Sequence, residues 1–214
     1  MTVHVSPATP SGAPGPPGRL RTAWAAAHAP VPGVRRWTRI AAYAVPLTVL
    51  PSSLWRVAVL FDESTAEKTG NLPVWLPLPV YVVLLSVFSE LVAFTAVGLI
   101  AAWGEAVPRW VPLLRGRRVP TAAAAVPAAL GAVLLTVLWT AAFVADAAGV
   151  TLRGYPAPRD FPTAAGGWEA AVFYACYVPL LAWGPLLAAV TVAYVRRRSG
   201  ARSTGSRARS AGSR

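Results

Sequence analysis

The stretch Trp103-Gly104-Glu105-Ala106-Val107-Pro108-Arg109-Trp110-Val111-Pro112-Leu113-Leu114-Arg115-Gly116-Arg117-Arg118-Val119-Pro120 divides the chain and joins two long apolar runs. Its four arginines are too costly to place in hydrocarbon, while its Trp, Val and Leu residues are too apolar for an ordinary soluble linker. Both properties suit a membrane surface, where aromatic and aliphatic side chains sit at headgroup level and arginines meet phosphates. The stretch is therefore expected to be a surface hairpin between two transmembrane helices.

Working outward, the run before it extends from about Val74 to Trp103. At ~1.5 Å per residue, Trp75 and Trp103 lie ~42 Å apart, the thickness of a bilayer with its interfaces. The run after it, about Thr121 to Ala145, opens on alanines and ends beside Asp146. A further run spans about Trp37 to Phe61, where Pro46 and Pro51 predict bends that Thr48, Ser52 or Ser53 would partly compensate. The last, about Trp168 to Val195, contains Pro179 and Pro185 and closes on Arg196, Arg197 and Arg198. The fold class expected is all-α: a polytopic membrane protein with four transmembrane helices in a bundle (37–61, 74–103, 121–145, 168–195).

Composition agrees, since 55% hydrophobic and 13% charged residues, with a mean hydropathy of +0.50, lie outside the soluble globular range. Residues 1–36, rich in Pro, Gly and Ala, and 196–214, rich in Arg and Ser, are expected to be disordered basic tails. Residues 1–18 lack the pattern of a cleavable signal peptide, so insertion is expected to use the first transmembrane helix.

Charge sets orientation. The N-terminal segment holds five arginines (Arg19, Arg21, Arg35, Arg36, Arg39), the hairpin four and the C-terminal tail seven, against Lys68, Arg153 and Arg159 in the two opposite loops. Sixteen against three places both termini and the hairpin in the cytoplasm, in a multi-pass protein of the cell membrane. The net charge of +12 is thus explained by topology. The C-terminal tail lacks aromatic residues for base stacking, so no specific nucleic-acid partner is expected.

Chemistry-bearing motifs are few. His4 and His28 both lie in the N-terminal tail, so no imidazole is available at membrane depth for a haem, a metal or a catalytic dyad. Cys176 is the only cysteine, and no zinc spacing, phosphate loop or catalytic pair of acids appears. The expectation is a non-enzymatic protein with no catalytic, cofactor-binding or metal-binding residues and no cofactor. Asp146 and Glu169 are the acids that folding could bring together at the outer surface.

Glu90 is the foremost intramembrane candidate, ~22 Å along the helix from Trp75 and ~20 Å from Trp103. A carboxyl near the midplane must be protonated, paired or hydrated, and is a functional candidate by default. Its bland reading is a fastening between helices, its sharper one a proton or cation site. Ser86, one turn away, is placed to share a hydrogen bond with it. Arg56 is the natural partner to test, although snorkelling outward towards Glu63, Asp146 or Glu169 is cheaper than reaching inward to Glu90. At the hairpin, Trp103, Arg109, Trp110, Arg115, Arg117 and Arg118 are the candidates for binding anionic lipid headgroups or a cytoplasmic or membrane protein partner. Ala124, Ala128 and Ala132 form a small-xxx-small stripe that permits close helix packing, a homo-oligomer among its uses.

The run Trp103-Gly104-Glu105, Pro108-Arg109-Trp110, Pro112 and Gly116-Arg117-Arg118-Val119-Pro120, with Ser89-Glu90 before it, resembles a family of uncharacterised four-helix integral membrane proteins from actinobacteria. The likeness covers mainly residues 72–120 and implies membership without an activity. As the resemblance has it, Arg-Pro often precedes the Trp-Gly-Glu where Ala101-Ala102 stand here, and Gly often stands at Arg115. The leading functional expectation is a membrane interaction protein whose 103–120 hairpin binds anionic lipid or a partner protein. The alternative is a small transporter or channel using Glu90.

Overall fold

The computed structural model describes residues 31, 33–61, 76–101, 104, 119–158 and 161–211, with the side chains of 165 and 201–211 excepted. Helices α1 (Arg36–Val59), α2 (Leu78–Gly98), α3 (Thr121–Ala147), α4 (Pro162–Ala165), α5 (Gly167–Tyr177) and α6 (Leu180–Ala211) follow one another in the chain. Among the described residues no strand forms, and Val150 pairs with Pro156 as an isolated bridge. Four spans are long and apolar enough to cross a membrane: α1, α2, α3, and α5 with α6 taken together. This is the architecture of an all-α, multi-pass membrane protein.

Prolines decide where the helices start and break. Pro79 lies in the first turn of α2, and Pro120 immediately precedes α3, positions where a missing N–H costs nothing. In the fourth span, expected as one helix from Trp168 to Val195, Pro179 separates α5 from α6. The joint tightens to i→i+3 bonds from Leu181 to Val178 and from Ala182 to Pro179. Within α1, Thr48 donates to the Val45 carbonyl at 2.7 Å and Ser52 to that of Val49 at 2.8 Å, while Ser53 takes no carbonyl. The second span stops at Gly98, short of the Trp103 expected. Beyond it Leu99, Ile100 and Ala101 turn inward and are buried, and the chain folds back so that Gly104 lies directly against the Gly98 carbonyl. Glycine at 104 is required by that approach. At the other extreme α6 continues as helix to Ala211, through a stretch expected to be disordered. Arg and Ala are good helix formers and no proline follows Pro185.

The spans lie side by side in the order α2, α1, α5–α6, α3. Central α1 is buried on two sides, with Ala41, Ala42, Val45 and Val49 wholly or almost wholly covered. From α6 come Leu180, Trp183, Leu187, Val190 and Tyr194, whose alternating three- and four-residue spacing is the seam of a helix packed along its length. Ala93, Ala96 and Val97 of α2 complete the core. The outer faces remain apolar and exposed, among them Leu84, Phe88 and Leu91 on α2 and Leu130, Leu134 and Val137 on α3. Hydrocarbon covers such faces in a membrane.

Peripheral α3 has one fully buried residue, Ala132, and packs against α6. Contact is backbone to backbone at Gly184: a Cβ built there would meet the Thr136 hydroxyl and come within 2.7 Å of both the Ala132 carbonyl and the Thr136 nitrogen. The alanine stripe is spent at this seam, with Ala124 and Ala128 packed against the same core. Replacing Gly184 by Ala is expected to cost about 1–3 kcal/mol through overpacking and to lower the midpoint of thermal unfolding in mild detergent. Gly131→Ala, whose Cβ would meet Leu187 Cδ2 at an ordinary 3.8 Å, serves as the control. Equal midpoints for the two variants would show that the seam is looser than described.

Candidate functional site

Glu90 stands twelve residues from Leu78 and eight from Gly98, ~18 and ~12 Å along α2, and so at depth in the span. It lies on the face of α2 that meets α1, beside Ser86 of its own helix and Ser53 of the neighbour. The Arg56 guanidinium, one turn further along α1, is within electrostatic reach of its carboxyl. Ser53 Oγ, Ser86 Oγ, Arg56 Nη1 and Glu90 Oε1 are all buried, and none makes a well-formed hydrogen bond within the protein, the Ser53 hydroxyl standing beside the Glu90 carboxyl without closing one. Most buried polar groups are paired, because each unpaired one costs about 1–3 kcal/mol. Four at one helix–helix contact mark the place as a candidate site.

The details differ from the simple expectation. Ser86 is on the face of Glu90, as the spacing requires, but its hydroxyl bonds neither the carboxyl nor a carbonyl of the preceding turn. Ser89, next to Glu90 in sequence, does back-bond, to the Leu85 carbonyl at 2.7 Å. Arg56 Nη2 donates a long 3.4 Å bond to Ser52 Oγ, and the guanidinium lies 5.9 Å from the centre of the Tyr177 ring on α5. Of the outer acids offered to Arg56, Glu63 lies outside the described residues. Asp146 accepts from Thr163 at 2.6 Å and from Tyr174 at 2.7 Å, closing the end of α3 onto α4 and α5. An aromatic cluster surrounds that closure, with Phe173 stacked on Tyr177 at 4.3 Å and edge-on to Trp55 and Phe161. Ser53 as a partner of Glu90 was not legible in sequence, where it reads only as a companion of Pro51.

At the basic end of the bundle, where α1 and α3 begin and α2 ends, a cleft of about 290 Å³ opens between three segments. Arg35 and Trp37 line it from the start of α1, Leu99 and Ile100 from the turn after α2, and Tyr194, Arg196 and Arg197 from α6. Its walls are tied together. Arg197 donates to the Leu99 carbonyl at 3.3 Å, Val31 N–H donates to the Ile100 carbonyl at 3.1 Å, and Arg198 bonds the Val119 carbonyl and the Thr121 hydroxyl at the entry to α3. Both guanidiniums lie 5.7 Å from the centre of the Tyr194 ring. Arg197 at the Leu99 carbonyl sits just past the C-terminus of α2, where a cation is favoured, whereas Arg198 is held at the start of α3 by its hydrogen bonds alone. Read from sequence, these arginines are topogenic charge; in the fold they also lock α6 to α2 and α3.

The hairpin candidates Trp103, Arg109, Trp110, Arg115, Arg117 and Arg118 lie outside the described residues. Among the described residues no three His, Cys, Asp or Glu side chains come together as metal ligands. The fold defines the class: a multi-pass α-helical membrane protein with a polar cluster inside the bundle and a basic cleft at one end. No family model, no curated protein and no solved structure matches the chain.

If Arg56 and Glu90 act on one another, Arg56→Leu and Glu90→Leu each lower thermal stability, and the double variant loses less than the sum by about 0.5–3 kcal/mol. Strictly additive losses in that cycle would show two independent groups.

Proposed function

We propose that this is a non-enzymatic protein of the cell membrane, with both termini and the 103–120 hairpin in the cytoplasm, that binds an anionic phospholipid at its basic end. The cleft of Arg35, Arg196 and Arg197 between Trp37 and Tyr194 is the observation that carries the proposal. Guanidiniums supply charge-assisted, two-pronged hydrogen bonds to a phosphate. The aromatic rings occupy the headgroup level, where Trp and Tyr are favoured. Because Arg197 and Arg198 already hold the ends of α2 and α3, the walls are fixed before a ligand arrives, which lowers the ordering cost of binding.

The orientation is supported by the sixteen-to-three distribution of Lys and Arg. It sets the cleft against the leaflet that carries anionic lipid. The hairpin arginines, which the sequence puts between α2 and α3, are a second candidate for the same ligand chemistry, and a protein partner docking on the hairpin would use the same charges. Using Glu90 as a cation site draws less support, since the neighbouring Arg56 repels a cation at that position.

Native mass spectrometry of the full chain in mild detergent tests the proposal. Wild type is expected to retain phosphatidylglycerol in preference to phosphatidylcholine. At roughly 1 kcal/mol per basic residue, Arg35→Ala with Arg196→Ala should weaken retention about 30-fold. Loss in that variant assigns the lipid to the cleft. Loss only in the Arg115/Arg117/Arg118→Ala variant assigns it to the hairpin. Equal retention of the two lipids by wild type overturns the proposal.

A further inference from the structure

The polar cluster of Ser53, Arg56, Ser86 and Glu90 is not sealed inside the bundle. Its Ser53, Ser86 and Glu90 form the floor of a groove of about 470 Å³ between α1 and α2 that opens sideways, with Leu50, Leu54, Val87 and Leu91 on its rims, and the Arg56 guanidinium stands within electrostatic reach of the carboxyl. These rim residues are 44–61% exposed, whereas Ser53 and Ser86 on the floor are 7% and 5% exposed. The volume falls within the ~300–1,000 Å³ of small-molecule sites, and the combination of apolar walls with a few convergent polar groups is that of a ligand pocket. In a membrane its mouth faces acyl chains, so anything entering arrives from the bilayer.

We propose that this groove binds a lipid whose polar end is a neutral hydroxyl, such as a diacylglycerol or a long-chain alcohol, with the hydroxyl seated on Ser53, Ser86 and Glu90. Three observations select that chemistry. First, the floor offers donors and an acceptor together: two serine hydroxyls donate and Glu90 Oε1 accepts, with no well-formed hydrogen bond among them. A hydroxyl does both at once, accepting from the first set and donating to the carboxyl. Second, one guanidinium stands beside one carboxyl, so the floor has no excess charge with which to hold a free ion. Third, the floor lies at depth. A phosphate-bearing headgroup stays at the interface, about 15 Å from the centre of a ~30 Å core, and dragging its charge inward is costly. A purely structural clamp would have these groups firmly bonded to one another, and the Ser86 hydroxyl bonds to nothing while that of Ser53 stands beside the Glu90 carboxyl without closing a well-formed bond.

The test is photo-crosslinking of the full chain in nanodiscs doped with diazirine-labelled diacylglycerol or, separately, diazirine-labelled phosphatidylcholine, with labelled peptides located by mass spectrometry. Diacylglycerol is expected to label the α1 and α2 segments around Leu50 and Leu91 well above the exposed face of α3 around Leu130 and Leu134. Phosphatidylcholine is expected to label both alike. Labelling at the groove should fall about fivefold for each hydroxyl removed in Ser53→Ala and Ser86→Ala, and should be abolished by Leu50→Trp, which fills the groove from its exposed rim. The alanine variants remove buried hydroxyls that make no well-formed bond in the protein, so their thermal stability should stay close to or exceed that of wild type, separating lost binding from lost fold. Diacylglycerol labelling that is equal on the two faces, or unchanged in the serine variants, overturns the proposal and leaves only acyl chains or water in the groove.

Discussion

In hydrocarbon a backbone N–H or C=O has no water to bond, so each span must satisfy its own ladder, and each proline in it removes one donor. Pro79 and Pro120 are placed at helix starts, where this is harmless. Pro179 falls inside the fourth span, and the chain answers by dividing it into α5 and α6 with a short tightened joint. Because α5 and α6 are separate helices, α5 packs on α1 and carries the aromatic cluster, while α6 runs between α1 and α3.

Between such helices the hydrophobic effect supplies little attraction, since lipid tails are as apolar as leucine. Close approach takes its place. Central α1 presents Ala41, Ala42 and Ser52 where its neighbours come nearest, and Gly184 lets α6 touch the backbone of α3. An edge helix then needs only a narrow seam. α3 buries Ala132 and leaves a broad face of Leu and Val to lipid.

Charge is distributed by depth. At the basic end arginines are cheap and are used as ties, Arg197 on Leu99 and Arg198 on Val119. Deeper along the α1–α2 contact charge is expensive, and there Glu90 stands with two serines, Arg56 reaching it only from the last turn of α1. The first arrangement suits a surface ligand with a phosphate, the second a buried one without.

The existence and order of the four spans were legible because each is a long apolar run, and length against bilayer thickness is a one-dimensional property. Glu90 was likewise legible, since a carboxyl in such a run stands out by position alone. Other features depend on which helices become neighbours. That Ser53 faces Glu90, that Ser86 is buried without bonding to it, and that the alanine stripe is spent on α6 all follow from the order α2, α1, α5–α6, α3. So does the second role of Arg197 and Arg198. Hydropathy is summed along the chain and needs no partner, so the sequence by itself determined a polytopic helical membrane protein. Side-chain neighbours arise only when two helices pack, so the tertiary structure alone decided that Ser53, Ser86 and Glu90 would share one groove open to the bilayer.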